Sequence, residues 1–179
     1  MRTLPDVELR NGLAEVIKTG IISDPILFEI CGQGIGVILE RMEEVICRSI
    51  SVKASIVSED PFERGKRATL NLGHTIGHAI ERASSYHIRH GEAISIGLAL
   101  VTKYSERIGL LDSGIGQEII QVIQGVGLPY SVPENIPKDQ IIKYMEMDKK
   151  KKNQKIRFVL PVRIGEVIWD VEADPWTLF

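Results

Sequence analysis

Three of the four histidines fall in one short window, Asn71-Leu72-Gly73-His74-Thr75-Ile76-Gly77-His78-Ala79-Ile80-Glu81 followed by His90-Gly91-Glu92. Imidazole is the commonest metal ligand and the usual proton carrier near neutral pH. His74 and His78 are four residues apart, a step of about 400° on a helix, so their rings share one face about 40° apart. Gly73 and Gly77 leave room for a ligand or another backbone. Two histidines at this spacing are weak evidence alone, and no Glu follows the first, so the H-E-x-x-H metalloprotease signature is absent. Arg67, Asn71, Thr75 and Glu81 crowd the same stretch, and polar groups gathered beside glycines suggest a site more than a core. A carboxylate with two imidazoles suffices for a catalytic Zn²⁺ centre with an open position, able to polarise a hydroxyl or carbonyl oxygen. Residue types and spacing leave open which Glu joins His74 and His90, and whether His78 belongs to the set. Lys18, Lys53, Arg67 and the lysine run at Lys149 to Lys152 offer cations for a phosphate or carboxylate. Each also has a plainer reading. Glu15 and Lys18, three apart, make a surface ion pair of small value. Lys53 complements a helix C-terminus, and the lysine run is a solvated loop.

The elements that must hold these residues are mostly helical. An apolar stripe (Leu9, Leu13, Val16, Ile17, Gly20) predicts a helix over 8–22. Asp24 and Pro25 read as the N-cap and first position of a short second helix. Gly32, Gly34 and Gly36 punctuate a turn; they do not match G-x-G-x-x-G and follow no convincing strand, so no dinucleotide fingerprint is present. Apolar residues from Ile38 to Val57 predict one long helix over 37–58, broken by Glu59-Asp60-Pro61. A charged loop with Glu63, Arg64, Lys66 and Arg67 leads into the histidine helix, which runs to about residue 83. His87 reads as solvated. His90 and Gly91 open a helix to about 107, with Ile94, Leu98, Val101 and Ile108 on one face and Gly109 as its stop. Further helices are expected over 115–124 and 138–147. Two apolar runs, 155–161 and 166–170, flank residues 162–165 and read as a β-hairpin. The expected fold is therefore mainly α: one multihelical domain over 1–179 with a small C-terminal β-hairpin.

Composition narrows the function classes. The chain has 179 residues, 44% hydrophobic and 26% charged, as expected of an ordinary globular domain. A net charge of −2 argues against a nucleic-acid partner. Cys31 and Cys47 form no C-x-x-C motif, which suggests a reducing compartment. No apolar run is long enough to span a bilayer, and the N-terminus carries no hydrophobic signal. A cytoplasmic protein is expected.

Several stretches together resemble 3-dehydroquinate synthase: Gly12-Leu13-Ala14-Glu15-Val16-Ile17-Lys18, Lys53-Ala54-x-Ile56-Val57-x-x-Asp60, the run from Arg67 to Glu81, His90-Gly91-Glu92-Ala93, Asp148-Lys149-Lys150 and Phe158-Val159-Leu160-Pro161-x-x-Ile164-Gly165. They occur in family order over most of the chain. The resemblance implies that Glu15, His74 and His90 bind zinc or another divalent metal. It implies that His78 touches the phosphate end of the substrate and helps move protons, with Glu63 orienting it. Lys18, Lys53, Arg67 and Asn71 would bind substrate, and Lys149 or Lys150 would reach its phosphate. Family enzymes convert the seven-carbon phosphate DAHP into 3-dehydroquinate, an early step toward the aromatic amino acids. Bound NAD⁺ transiently oxidises a hydroxyl, phosphate is eliminated, the hydride returns and the opened ring closes by an aldol step. The family's N-terminal NAD-binding domain finds no counterpart here. The resemblance covers the metal-binding half only, as a fragment, one polypeptide of a split enzyme or a remnant. Homo-oligomerisation is common in the family and is expected. The competing readings are a related sugar-phosphate cyclase, a metal-dependent polyol dehydrogenase, and a non-catalytic metal-binding or partner module.

Overall fold

The computed structural model describes residues 4–62, 64–151 and 156–179, with residues 148–151 described by their backbone alone. The described residues form helices α1 Asp6–Ser23, α2 Pro25–Gly32, α3 Ile35–Glu40, α4 Met42–Glu59, α5 His74–Ala83, α6 His90–Arg107, α7 Ser113–Gly125 and α8 Lys138–Lys151, with strands β1 Arg157–Arg163 and β2 Glu166–Glu172. Short 3-10 segments lie at Lys66–Asn71 and Pro175–Leu178. The two strands pair antiparallel as a single hairpin, so the fold is mainly helical with a small C-terminal β element, as the sequence implies.

Local chemistry sets most boundaries. Asp24 accepts a hydrogen bond from the Leu27 N–H at 3.0 Å, and Pro25 opens α2, where its missing donor costs nothing. Asp112 caps α7 through the Gly114 N–H. Gly109 turns the chain out of α6 at φ 72°. The hairpin turn is tighter than expected, since strand pairing reaches Arg163 and Glu166.

Two expectations need correction. The single helix over 37–58 is two, α3 and α4, broken at Arg41 (φ −104°, ψ 23°). The break redirects the chain so that Ile38 and Val45 are both buried, while Ile50 is left 62% exposed. Apolar periodicity continued across the break and gave no sign of it. Helix α6 is also not one-faced. Ala93 through Thr102 are all buried, whereas Ile108 is exposed. A helix apolar on every side belongs in the middle of a core, and α1, α5, α7 and β1 surround α6. Of its buried hydroxyls, Ser95 donates toward the carbonyls of Glu92 and Pro129, whereas the Ser105 hydroxyl makes no hydrogen bond. Helix α8 extends four residues beyond the expected end at 147. No helix among the described residues is long and apolar enough to cross a membrane.

Candidate metal centre

Helices α1, α5 and α6 meet because side chains are missing where their backbones touch. A Cβ on Gly97 of α6 would run into the carbonyl of Gly73, and one on Gly91 would overlap the backbone of Asn11 in α1. Gly73 itself sits at φ 75°, a left-handed conformation that turns the chain directly into α5. Each of α5 and α6 therefore begins with a histidine, His74 and His90, held against α1. Glu15 lies one helical turn beyond Asn11 and faces both rings.

The Oε1 atom of Glu15 is 3.3 Å from His74 Nε2 and 3.4 Å from His90 Nε2. Its other oxygen, Oε2, is 2.6 Å from Nζ of Lys18, which is 5% exposed. The remaining ring nitrogens are engaged. His74 Nδ1 lies 3.1 Å from the Leu72 carbonyl, and His90 Nδ1 lies 3.2 Å from Glu81 Oε1. Both partners are acceptors, an arrangement that favours the tautomer with the proton on Nδ1 and leaves Nε2 free to face Glu15 as a ligand atom. Glu15 Oε1 is buried and makes no hydrogen bond of its own. Two imidazole nitrogens and a carboxylate oxygen converging within 4.8 Å of one another are a donor set for a cation. The edge of a tetrahedron with ligands 2.0–2.1 Å from Zn²⁺ is about 3.3–3.4 Å, close to the two distances seen. These residues fit a divalent metal.

Burial pushes the Glu15 pKa up, but His74 and Lys18 together outweigh it and hold the carboxyl well below the usual range. Burial depresses the Lys18 pKa, with Glu15 opposing that and Lys53 adding to it. Burial, and then the neighbouring His74, depress the pKa of His78.

A cleft of about 560 Å³ opens beside Glu15, His74 and His90. Lys18 and Thr19 of α1, Ser49, Ile50 and Lys53 of α4, and Arg67, Leu70 and Asn71 of the 3-10 segment line it together with Glu15, His74 and His90. The lysines, Arg67 and Asn71 named from the sequence thus share one wall system with the triad. Asp60 organises the approach to Arg67. Its carboxylate accepts from the backbone N–H groups of Arg64, Gly65 and Arg67 at 2.9, 2.8 and 3.0 Å. Those bonds, from Arg64 first, hold the Asp60 pKa below its ordinary value. The Arg67 guanidinium donates to the Pro61 carbonyl at 2.9 Å. A second opening, of about 520 Å³, reaches Glu15 and His90 from the side of Glu8, Asn11 and Arg89.

His78 does not line the larger cleft. Its ring centroid lies 5.3 Å from that of His74 and 5.9 Å from that of His90. Thr75 is turned to the hairpin, its hydroxyl 3.4 Å from the Arg157 carbonyl. His87 is exposed, with Nδ1 against the Ser84 carbonyl. Glu63 and the side chains of Lys149 and Lys150 lie outside the described residues. Glu81 had been assigned no role, yet its carboxylate meets His90. The signal was present in the i, i+4, i+7 spacing of His74, His78 and Glu81, which places all three on one helical face.

Residues 12–151 match the family model for the 3-dehydroquinate synthase C-terminal domain. A 3-dehydroquinate synthase from Xanthomonas oryzae pv. oryzae (strain PXO99A) is 39% identical over 184 residues, spanning 96% of this chain and 50% of that protein. One from Pyrococcus abyssi is 42% identical over 168 residues, spanning 93% and 49%. Among solved structures, 2-epi-5-epi-valiolone synthase from Streptomyces hygroscopicus subsp. jinggangensis, with NAD⁺ and Zn²⁺ bound, shares the fold at a TM-score of 0.84 and 22% identity, covering 98% of this chain and 50% of that one. A 2-deoxy-scyllo-inosose synthase complexed with carbaglucose-6-phosphate, NAD⁺ and Co²⁺ gives 0.81 and 27%, covering 93% and 48%. The chain spans about half the length of the curated relatives it matches.

Proposed function

The chain belongs to the 3-dehydroquinate synthase family, as its C-terminal domain, and from that premise we propose that it forms the metal- and phosphate-binding half of an enzyme converting DAHP to 3-dehydroquinate and phosphate. The observation that carries the reading is the meeting of Glu15 Oε1 with two imidazole nitrogens beside a cleft walled by Lys53, Arg67 and Asn71. Glu15, His74 and His90 would hold the divalent metal, Zn²⁺ in this reading. A metal there supplies Lewis-acid polarisation of a substrate oxygen, and NAD⁺ on a nucleotide-binding domain, in cis or in trans, supplies hydride transfer.

The chain's own residues do the rest. Lys18 neutralises Glu15 through Oε2 and leaves Oε1 turned toward the imidazoles. Lys53 and Arg67 give charge-assisted hydrogen bonds to the phosphate or carboxylate of the substrate, and the Arg fork fixes its orientation. Asn71 adds a neutral donor and acceptor beside them. His78, with its pKa depressed, is uncharged near neutral pH and can accept a proton next to the ligand pair. Glu63 would orient His78, and Lys149 or Lys150 would reach the phosphate. The protein works in the cytoplasm, as a homo-oligomer, in aromatic amino acid biosynthesis. A related sugar-phosphate cyclase would use the same wall of cations, but the synthases share more identity with the chain than the cyclases do.

Turnover requires a nicotinamide held near the substrate alcohol, and positioning it is the task of the second domain. The chain alone is therefore expected to release no phosphate from DAHP. The test is purified chain with Zn²⁺, NAD⁺ and DAHP, with and without a nucleotide-binding domain from a relative expressed separately. Phosphate release by the mixture alone supports the reading. Equal release by the chain on its own refutes the half-site, and no release from either, with zinc bound, counts against DAHP as substrate.

A further inference from the structure

We propose that Glu81 is the positioning residue of the metal centre: it fixes the ring orientation and proton position of His90 and thereby sets metal affinity. The inference rests on the metal reading above. The two histidine ligands are held in different ways. His74 Nδ1 is paired to the Leu72 carbonyl, a backbone group locked by the turn into α5. His90 is the first residue of α6, and its side chain is 48% exposed. Packing does little to restrain such a ring, and rotation about its side-chain bonds would carry Nε2 away from Glu15.

The hydrogen-bond partner that opposes this rotation is Glu81, whose Oε1 lies 3.2 Å from His90 Nδ1. Its side chain is only 16% exposed and stands on α5, next in sequence to fully buried Ile80. Glu81 is thus the fixed member of the pair and His90 the one it steers. A carboxylate accepting the Nδ1 proton also leaves the lone pair on Nε2 and makes that nitrogen more basic, which strengthens its bond to a metal. His78, Glu81 and His90 could themselves gather around a cation. The 3.2 Å contact favours the hydrogen-bonded role, because a ring donating through Nδ1 has no lone pair to offer there.

The test compares the unaltered chain with Glu81→Ala, Glu81→Gln, His90→Ala and the Glu81→Ala/His90→Ala double variant. Zn²⁺ affinity is read by chelator competition, coordination by the visible absorption of the Co²⁺ form, and stability by unfolding of the metal-free chain. Glu81→Ala should weaken Zn²⁺ about 10–100-fold and change the Co²⁺ spectrum. Glu81→Gln, whose amide oxygen still accepts, should recover much of the affinity. Adding Glu81→Ala to His90→Ala should cost nothing further, and metal-free unfolding should be unchanged. Unaltered affinity and spectrum in Glu81→Ala would overturn the proposal. So would equal loss in both Glu81 variants accompanied by lower metal-free stability, which marks a packing role, or loss of a second equivalent of metal with the first unaffected. Failure of the unaltered chain to bind Zn²⁺ would instead overturn the metal reading beneath it.

Discussion

Glu15 works through two oxygens with separate partners, and the division explains why Lys and His surround a single carboxylate. Oε2 is bound by Lys18, so the charge of Glu15 is partly spoken for, while Oε1 is buried between two imidazole nitrogens. The residues proposed to bind the substrate's anion stand apart from this set. Arg67 touches the Pro61 carbonyl and the cleft but none of the three metal ligands by any hydrogen bond described. The two functions should therefore separate by mutation. Arg67→Lys removes a planar fork and replaces it with a point charge. Losing one hydrogen bond to a charged group, worth about 1.5–3 kcal/mol, should weaken phosphate binding roughly ten- to hundredfold and leave zinc content unchanged. Calorimetric titration with inorganic phosphate, beside metal analysis of the same sample, makes the comparison. Zinc lost in proportion to phosphate would give Arg67 a structural role.

At the scale of elements, the site depends on how closely α6 approaches α1 and α5. Gly91 stands next to His90 and directly on the Asn11 backbone, so a methyl group there must push the two helices apart. Overpacking of this kind costs about 1–3 kcal/mol. Gly91→Ala should lower stability by that amount and weaken Zn²⁺ as well, since the shift separates His90 from Glu15. Wild-type zinc affinity in a destabilised Gly91→Ala protein would show that the helix contact does not set the ligand geometry. The loop ahead of the 3-10 segment depends on Asp60. Its hydrogen bonds favour the charged form and depress its pKa, so its contribution is present in full above the ordinary carboxylate pKa and is lost as pH falls through the lower folded value. Amide protection at Gly65 and Arg67 should persist through mildly acidic pH and then fall, whereas Asp60→Ala should lack it throughout. Protection in Asp60→Ala equal to the unaltered chain would dismiss this account.

For the molecule as a whole, a metal held as proposed would join α1 and α5, both of which pack on α6. A ligand that binds only the folded state stabilises it by about 2.7 kcal/mol at one hundred times its dissociation constant. For a chain of this length, 2–4 °C per kcal/mol gives a rise in melting temperature of roughly 5–10 °C. Removal of Zn²⁺ by a chelator should reverse the rise, and His74→Ala should abolish it. A melting temperature indifferent to Zn²⁺ in the unaltered chain would argue that the three side chains hold no ion in solution.

Much of this was legible in the sequence, and the reason is locality. Asp24-Pro25 caps a helix, Gly109 ends one, and two apolar runs around a short turn pair as a hairpin, because each signal acts within a few residues of itself. The clustering of His74, His78 and His90 made a metal site an expectation for the same reason. What spacing left open was which carboxylate belongs with the imidazoles. The resemblance named Glu15, and the packing of α6 against α1 at Gly91 and against the start of α5 at Gly97 is what brings Glu15 to the two rings. The break at Arg41 was invisible because apolar periodicity runs through it, and the direction of the following helix is chosen by what Ile38 and Val45 can bury. The full burial of α6 likewise follows from its neighbours on every side, and the role of Glu81 from a partner on another helix. Local propensity determined the elements and the kinds of side chain they carry; the distances between side chains far apart in the chain were decided only when the helices packed.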